Sequence, residues 1–105
     1  MKVSFSNLAY RKLGYILEYL EEEWSEKVKK KFITILNEKI EQISDFPESC
    51  IKSNTHDNLR MCIITKQTSL LYRINNNEIE VITLFDNRTN FKKITAEIRK
   101  HYGRI

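Results

Sequence analysis

Glycine, cysteine and histidine are all scarce in these 105 residues, and their scarcity removes classes of function. The two glycines, Gly14 and Gly103, stand alone, so the chain lacks the glycine-rich loops that cradle nucleotide phosphates. Cys50 and Cys62 match no zinc spacing, and only His56 and His101 could join them. No metal or other cofactor is therefore expected. Cys62 alternates with Arg60 and Ile64, which suits a small buried apolar residue, and a disulfide is not expected in a reducing compartment. No apolar run approaches the ~20 residues that span a bilayer. The first residues, Met1 to Phe5, lack the apolar centre of a signal peptide. A cytoplasmic location with no membrane partner is the expectation.

What is present fits one folded domain over residues 1–105, with 41% hydrophobic and 30% charged residues. Charge is unevenly placed. Residues 1–85 carry twelve basic and twelve acidic side chains, whereas 86–105 carry six basic and two acidic, which accounts for the net +4. A basic end on a neutral body suits a nucleic-acid or acidic-protein partner; a solvated tail is the plainer alternative.

Hydrophobic period separates the chain into elements. Val3 and Phe5 alternate with polar neighbours as in a short strand. Ser6 or Asn7 can cap a helix whose apolar stripe is Ala9, Leu13, Ile16, Leu17, Leu20 and Trp24, with Tyr15 and Tyr19 on a flanking face. Gly14 within that helix suggests close packing against a neighbour. Ser25 opens a second helix, striped by Val28, Phe32, Ile35, Leu36, Ile40 and Ile43 and stopped by Pro47. The two form a helical hairpin, its tip covered by Glu21, Glu22, Glu23 and the lysines that follow.

Residues 48–58 read as a loop. The period then becomes two: 59–64, 70–74 and 79–84 alternate as three strands of an antiparallel meander, with Asn75, Asn76 and Asn77 making a tight turn. The order β-α-α-β-β-β defines an α+β fold: an N-terminal helical hairpin packed on a small antiparallel sheet of four strands. Residues 89–105 form a basic tail, with a weak helical period through Phe91, Ile94, Ile98 and Tyr102.

Arg60, Arg73 and Arg88 are the leading candidates for chemistry. Each occupies or ends a strand of the meander, and an apolar sheet with arginines at its open end suits an anionic partner. A guanidinium offers fixed donors and a permanent charge, as a phosphate clamp requires. The competing reading is structural pairing with Glu80, Asp86 or helix carboxylates. Cleaving RNA without a metal would also need a general base and a general acid. Asp86, His56, His101 and Tyr102 are the candidates, although Asp86 could equally cap the turn at Asn87 and Arg88.

Several segments together resemble the ParE/RelE superfamily of bacterial type II toxin–antitoxin systems. They are Lys2-Val-Ser-Phe-Ser6, Leu17-Glu-Tyr-Leu-Glu-Glu-Glu-Trp24, Ile40-Glu-Gln-Ile-Ser-Asp-Phe-Pro47, Leu70-Leu-Tyr-Arg73 and Val81-Ile-Thr-Leu-Phe-Asp-Asn-Arg88. The resemblance covers nearly the whole chain. It implies a growth-inhibiting toxin neutralised by a cognate antitoxin, with plasmid stabilisation among the family's roles. The antitoxin would pair a DNA-binding part with a flexible segment that wraps the toxin, and the complex would regulate its own operon. RelE-like members cut messenger RNA in the ribosome; ParE-like members inhibit DNA gyrase. Arg60, Arg73 and Arg88 match the arginine positions of the family sheet. The nuclease branch's basic cluster and C-terminal tyrosine are only loosely echoed by Lys52, Lys66 and Tyr102. The long hairpin, the Tyr-Arg strand and the Asp-Asn-Arg ending look more ParE-like, so a gyrase-directed toxin is expected. A ribosome-dependent endoribonuclease is the alternative, and an inactive antitoxin-binding homologue the second.

Overall fold

Ser6 joins the first two elements of the computed structural model, which describes residues 1–53 and 58–103. Strand β1 (Lys2–Phe5) ends just before this residue and helix α1 (Asn7–Glu23) begins just after it. The Ser6 hydroxyl accepts from the Ala9 N–H at 2.9 Å and donates to the Ile82 carbonyl at 2.7 Å. One side chain thus caps a helix and fastens it to a strand 76 positions away. Ser25 caps α2 (Glu26–Asp45) in the same way, accepting from Val28 N–H at 3.1 Å, with Glu26 at the positive end of the helix. At the hairpin tip, Lys29 meets Glu21 at 3.3 Å and Lys30 meets Glu26 at 3.5 Å.

Two expectations about α1 do not hold. Trp24 lies just beyond the helix, where the backbone leaves helical geometry, and is 68% exposed rather than part of the buried stripe. Gly14 has no packing role, because a Cβ built there would meet nothing within 4 Å.

The sheet holds five strands in the order β1-β5-β4-β3-β2, adding β2 (Ile51–Lys52), β3 (Arg60–Ile63), β4 (Thr68–Asn75) and β5 (Glu78–Asp86). The meander β3-β4-β5 is antiparallel as the alternation predicts. Its tight turn places Asn76 and Asn77 at φ 51° and 63°, the left-handed values a two-residue hairpin needs. The sheet is nevertheless mixed, since β1 pairs in parallel with β5, Val3 opposite Ile79. The stretch read as loop also holds a strand: β2 pairs antiparallel with β3 through Ile51–Met61 and Lys52–Arg60.

A bulge explains the packing of β5. Leu71 lies opposite Thr83 but Tyr72 lies opposite Val81, so Ile82 is an extra residue on β5. Side-chain direction shifts by one there. Ile79, Val81 and Leu84 face the helical hairpin, joined by Leu70, Tyr72, Cys50 and Cys62. Ile82 and Phe85 face the other way with Leu59 and Leu71. That second face is covered by α3 (Phe91–Tyr102), through buried Ile94 and Ile98, with Leu8 completing the cluster. The basic tail is thus mostly a helix and the third layer of the fold. Asn90 caps it, accepting from Lys92 N–H at 2.7 Å, and Arg99, Lys100 and His101 occupy its negative end. Among the described residues, no helix is long and apolar enough to cross a membrane.

Candidate functional site

The fold disperses the three arginines instead of gathering them at one end of the sheet. Arg60 is directly opposite Tyr72, so it shares Tyr72's face, on the hairpin side. There its Nη1 donates to the carbonyls of Cys50 at 2.8 Å and Glu48 at 3.3 Å. Arg73 follows Tyr72 and therefore emerges on the opposite face, beneath α3. One oxygen of Glu80 accepts from its Nε and Nη2, each at 2.8 Å. The ring of Tyr102 lies 5.5 Å from the guanidinium carbon, and its hydroxyl donates to the other Glu80 oxygen at 3.1 Å. The pairing of Arg73 with Glu80 that the sequence offered as one reading is present.

Arg88 is elsewhere again. Glu80 is opposite Arg73 and Asp86 is opposite Thr68, so six residues of β5, about 20 Å at the usual rise, separate these two ends. Asp86 accepts from Arg88 three times: from its backbone N–H at 2.8 Å, from Nε at 3.0 Å and from Nη2 at 2.8 Å. The Arg88 side chain is nonetheless 84% exposed. Hydrogen bonds from Arg88 hold the Asp86 carboxyl down at about 2, and the same contact raises the Arg88 pKa.

Asn87, between them, has a part that sequence reasoning missed. Its side-chain oxygen accepts from the buried Ser69 hydroxyl at 2.5 Å, and its amide donates to the Lys66 carbonyl at 2.9 Å. Its own N–H donates to Gln67 O at 2.7 Å. Asn87 therefore locks the end of β5 onto the β3–β4 turn. Asp86 and Asn87 together hold the turn that presents Arg88 at the end of β5. The only hint in sequence is an amide flanked by Asp and Arg at a strand end, the composition of an Asx turn.

Among the described candidates for proton transfer, His101 and Tyr102 are neighbours in the last turn of α3, whereas Asp86 lies at the far end of β5 from the Glu80 that Tyr102 contacts. The Nε2 of His101 contacts the Arg11 guanidinium. The pKa of Tyr102 is raised, by burial first and then by the Glu80 carboxylate. His56 lies outside the described residues. Lys52 lies opposite Arg60, whereas Lys66 belongs to the turn that Asn87 holds. Among the described residues no three His, Cys, Asp or Glu side chains gather as a metal site.

Comparison with solved structures finds the same fold at low identity. A toxin of the chromosomal ParDE toxin–antitoxin system from P. aeruginosa is similar with a TM-score of 0.69 and 13% identity, over 82% of this chain and 95% of that one. A YoeB/ParE toxin from Agrobacterium tumefaciens gives 0.60 and 14%, over 83% and 99%. The YoeB dimer from Staphylococcus aureus gives 0.56 and 18%, over 81% and 94%. No curated protein matches significantly. Residues 3–91 match the family described as the ParE toxin of the type II toxin–antitoxin system parDE. That span runs from β1 through the latched arginine turn to the start of α3, and the chain belongs to the ParE toxin family of type II toxin–antitoxin systems.

Proposed function

We propose that this toxin inhibits growth by binding DNA gyrase, with Arg88 in the contact surface, and not by cutting RNA. The observation that carries the reading is the latched turn: Asp86 and Asn87 fix Arg88 at the end of β5 while leaving its side chain in solvent. A fixed guanidinium loses little conformational entropy on meeting an anionic partner group. The same contacts argue against a reaction centre there. A carboxyl held at about 2 is a weak base at neutral pH. Arg73 and Tyr102 are engaged with Glu80 on another part of the sheet, and Arg60 is engaged on the opposite face.

A cognate antitoxin is the second partner in this reading. Family membership supports it, as does the like fold of YoeB in a YoeB-YefM complex from Staphylococcus aureus. Controlled induction in a bacterial host tests the target. Gyrase-dependent DNA breaks with intact messenger RNA support the proposal. New codon-positioned RNA 5′ ends would favour the endoribonuclease, and unimpaired growth the inactive homologue. Arg88→Ala should lose inhibition while its unfolding midpoint stays at the wild-type value.

A further inference from the structure

The strand that sequence reasoning missed brings the two cysteines together. Ile51 pairs with Met61 and Lys52 with Arg60, where the ladder ends; the same register carried one residue further would set Cys50 against Cys62, and both lie in one buried cluster. The hydrogen-bond pattern says which kind of pair this is. Ser53 N–H donates to Leu59 O at 2.8 Å, making 53/59 a hydrogen-bonded pair. Such pairs alternate along an antiparallel ladder, so 52/60 is non-bonded, 51/61 bonded and 50/62 non-bonded. Non-bonded partners are the closer kind, with Cα atoms about 4.5 Å apart, inside the range that a disulfide spans. Burial first, and then the neighbouring Cys50, raise the pKa of the Cys62 thiol. Both cysteines are free and buried, next to Tyr72.

We propose that Cys50 and Cys62 form a thiol–disulfide site, closed into an intramolecular cross-strand bond by a small-molecule disulfide such as oxidised glutathione. Cys50 lies at the outer edge of the sheet, before a strand of only two residues, and reacts first. Its thiolate attacks one glutathione sulfur, the glutathione S–S bond breaks, and one glutathione thiolate leaves. The Cys62 thiolate then attacks the Cys50 sulfur and expels the second glutathione. Two protein thiols are oxidised by two electrons and one glutathione disulfide is reduced to two thiols. The two protons released by the cysteines end on the two leaving groups. Burial keeps the Cys62 thiol protonated, to about 12, so the second step needs the edge to open and is slow at rest. Once formed, the bond closes residues 50–62 into a ring and ties the segment after Pro47 to β3.

The test uses the purified full-length chain in glutathione buffers of graded oxidised-to-reduced ratio, with and without brief passage through mild urea. Samples are quenched in acid, denatured and alkylated with a maleimide. The expected result is joint loss of both free thiols, a Cys50–Cys62 peptide pair in non-reducing mass mapping, and no retained glutathione. The oxidised chain should melt several degrees higher, reversibly with dithiothreitol. Cys62→Ser should instead retain one glutathione on Cys50 and show no such rise. Two free thiols at the most oxidising ratio after urea passage would overturn the proposal. So would oxidation that stops at stable mixed disulfides or proceeds only to dimers.

Discussion

Replacing Arg73 with alanine separates a structural arginine from one that contacts a target. Arg73 and Glu80 are each about a quarter exposed, 28% and 27%, and one carboxylate oxygen takes two donors at 2.8 Å. Hydrogen bonds to charged groups contribute about 1.5–3 kcal/mol, and stacking on Tyr102 adds roughly 0.5–1. Partial exposure and the water that would enter reduce this, so Arg73→Ala is expected to destabilise by about 2 kcal/mol. For a chain of this size that is a fall of about 10 °C in melting temperature. Part of the loss is the Glu80 carboxylate left without its cation. Arg73→Ala combined with Glu80→Ala should therefore be less destabilising than the single changes added together, by about 1–2 kcal/mol. Urea unfolding followed by circular dichroism measures all four members of the cycle, and urea leaves the ion pair unscreened. Growth inhibition by each variant is then compared with its folded fraction. The account predicts that the double variant inhibits growth in proportion to that fraction. A cycle showing no coupling, or a folded double variant that has lost inhibition, would refute the structural role.

Other perturbations probe the remaining joints. Ser6→Ala removes a helix cap and the bond to Ile82 together, and should cost about 1–3 kcal/mol in urea unfolding, more than a cap alone. Asn77→Gly should be neutral or slightly stabilising, whereas Asn77→Ala should destabilise by about 1 kcal/mol because its φ is 63°. The Asp86 carboxyl should titrate by NMR at about 2, and return towards 3.8 in Arg88→Ala. Since the folded value lies below the unfolded one, the stability from this group is present above about 3.8 and disappears as pH falls through about 2. The change is small because both side chains are well exposed.

The architecture was largely legible because its signals are local. Ser6, Ser25 and Pro47 mark helix limits by capping and backbone chemistry, and the asparagines at 76 and 77 mark the hairpin turn. Three features were not legible. The parallel pairing of β1 with β5 joins segments far apart in the chain, and no periodicity in either strand encodes its partner. The two-residue β2 is too short for alternation to register and sits among polar residues. The bulge at Ile82 changes side-chain parity in the middle of a run buried from Val81 to Phe85, where both faces are covered and both parities look alike. The candidate site shows the same division. The arginines stand out by residue type, but their faces depend on register: a one-residue offset puts Arg73 on the far side of the sheet from Arg60. Asn87 joins segments about twenty residues apart, which its immediate neighbours do not announce.

The most direct test of the central claim is purified toxin added to DNA gyrase and relaxed plasmid with ATP, read for supercoiling and for cleaved DNA. In parallel, a translating ribosome extract given the same toxin is read for new messenger-RNA 5′ ends. The account predicts toxin-dependent loss of supercoiling with trapped DNA breaks, abolished by Arg88→Ala, and intact messenger RNA. Normal gyrase activity together with codon-positioned RNA cleavage would contradict it.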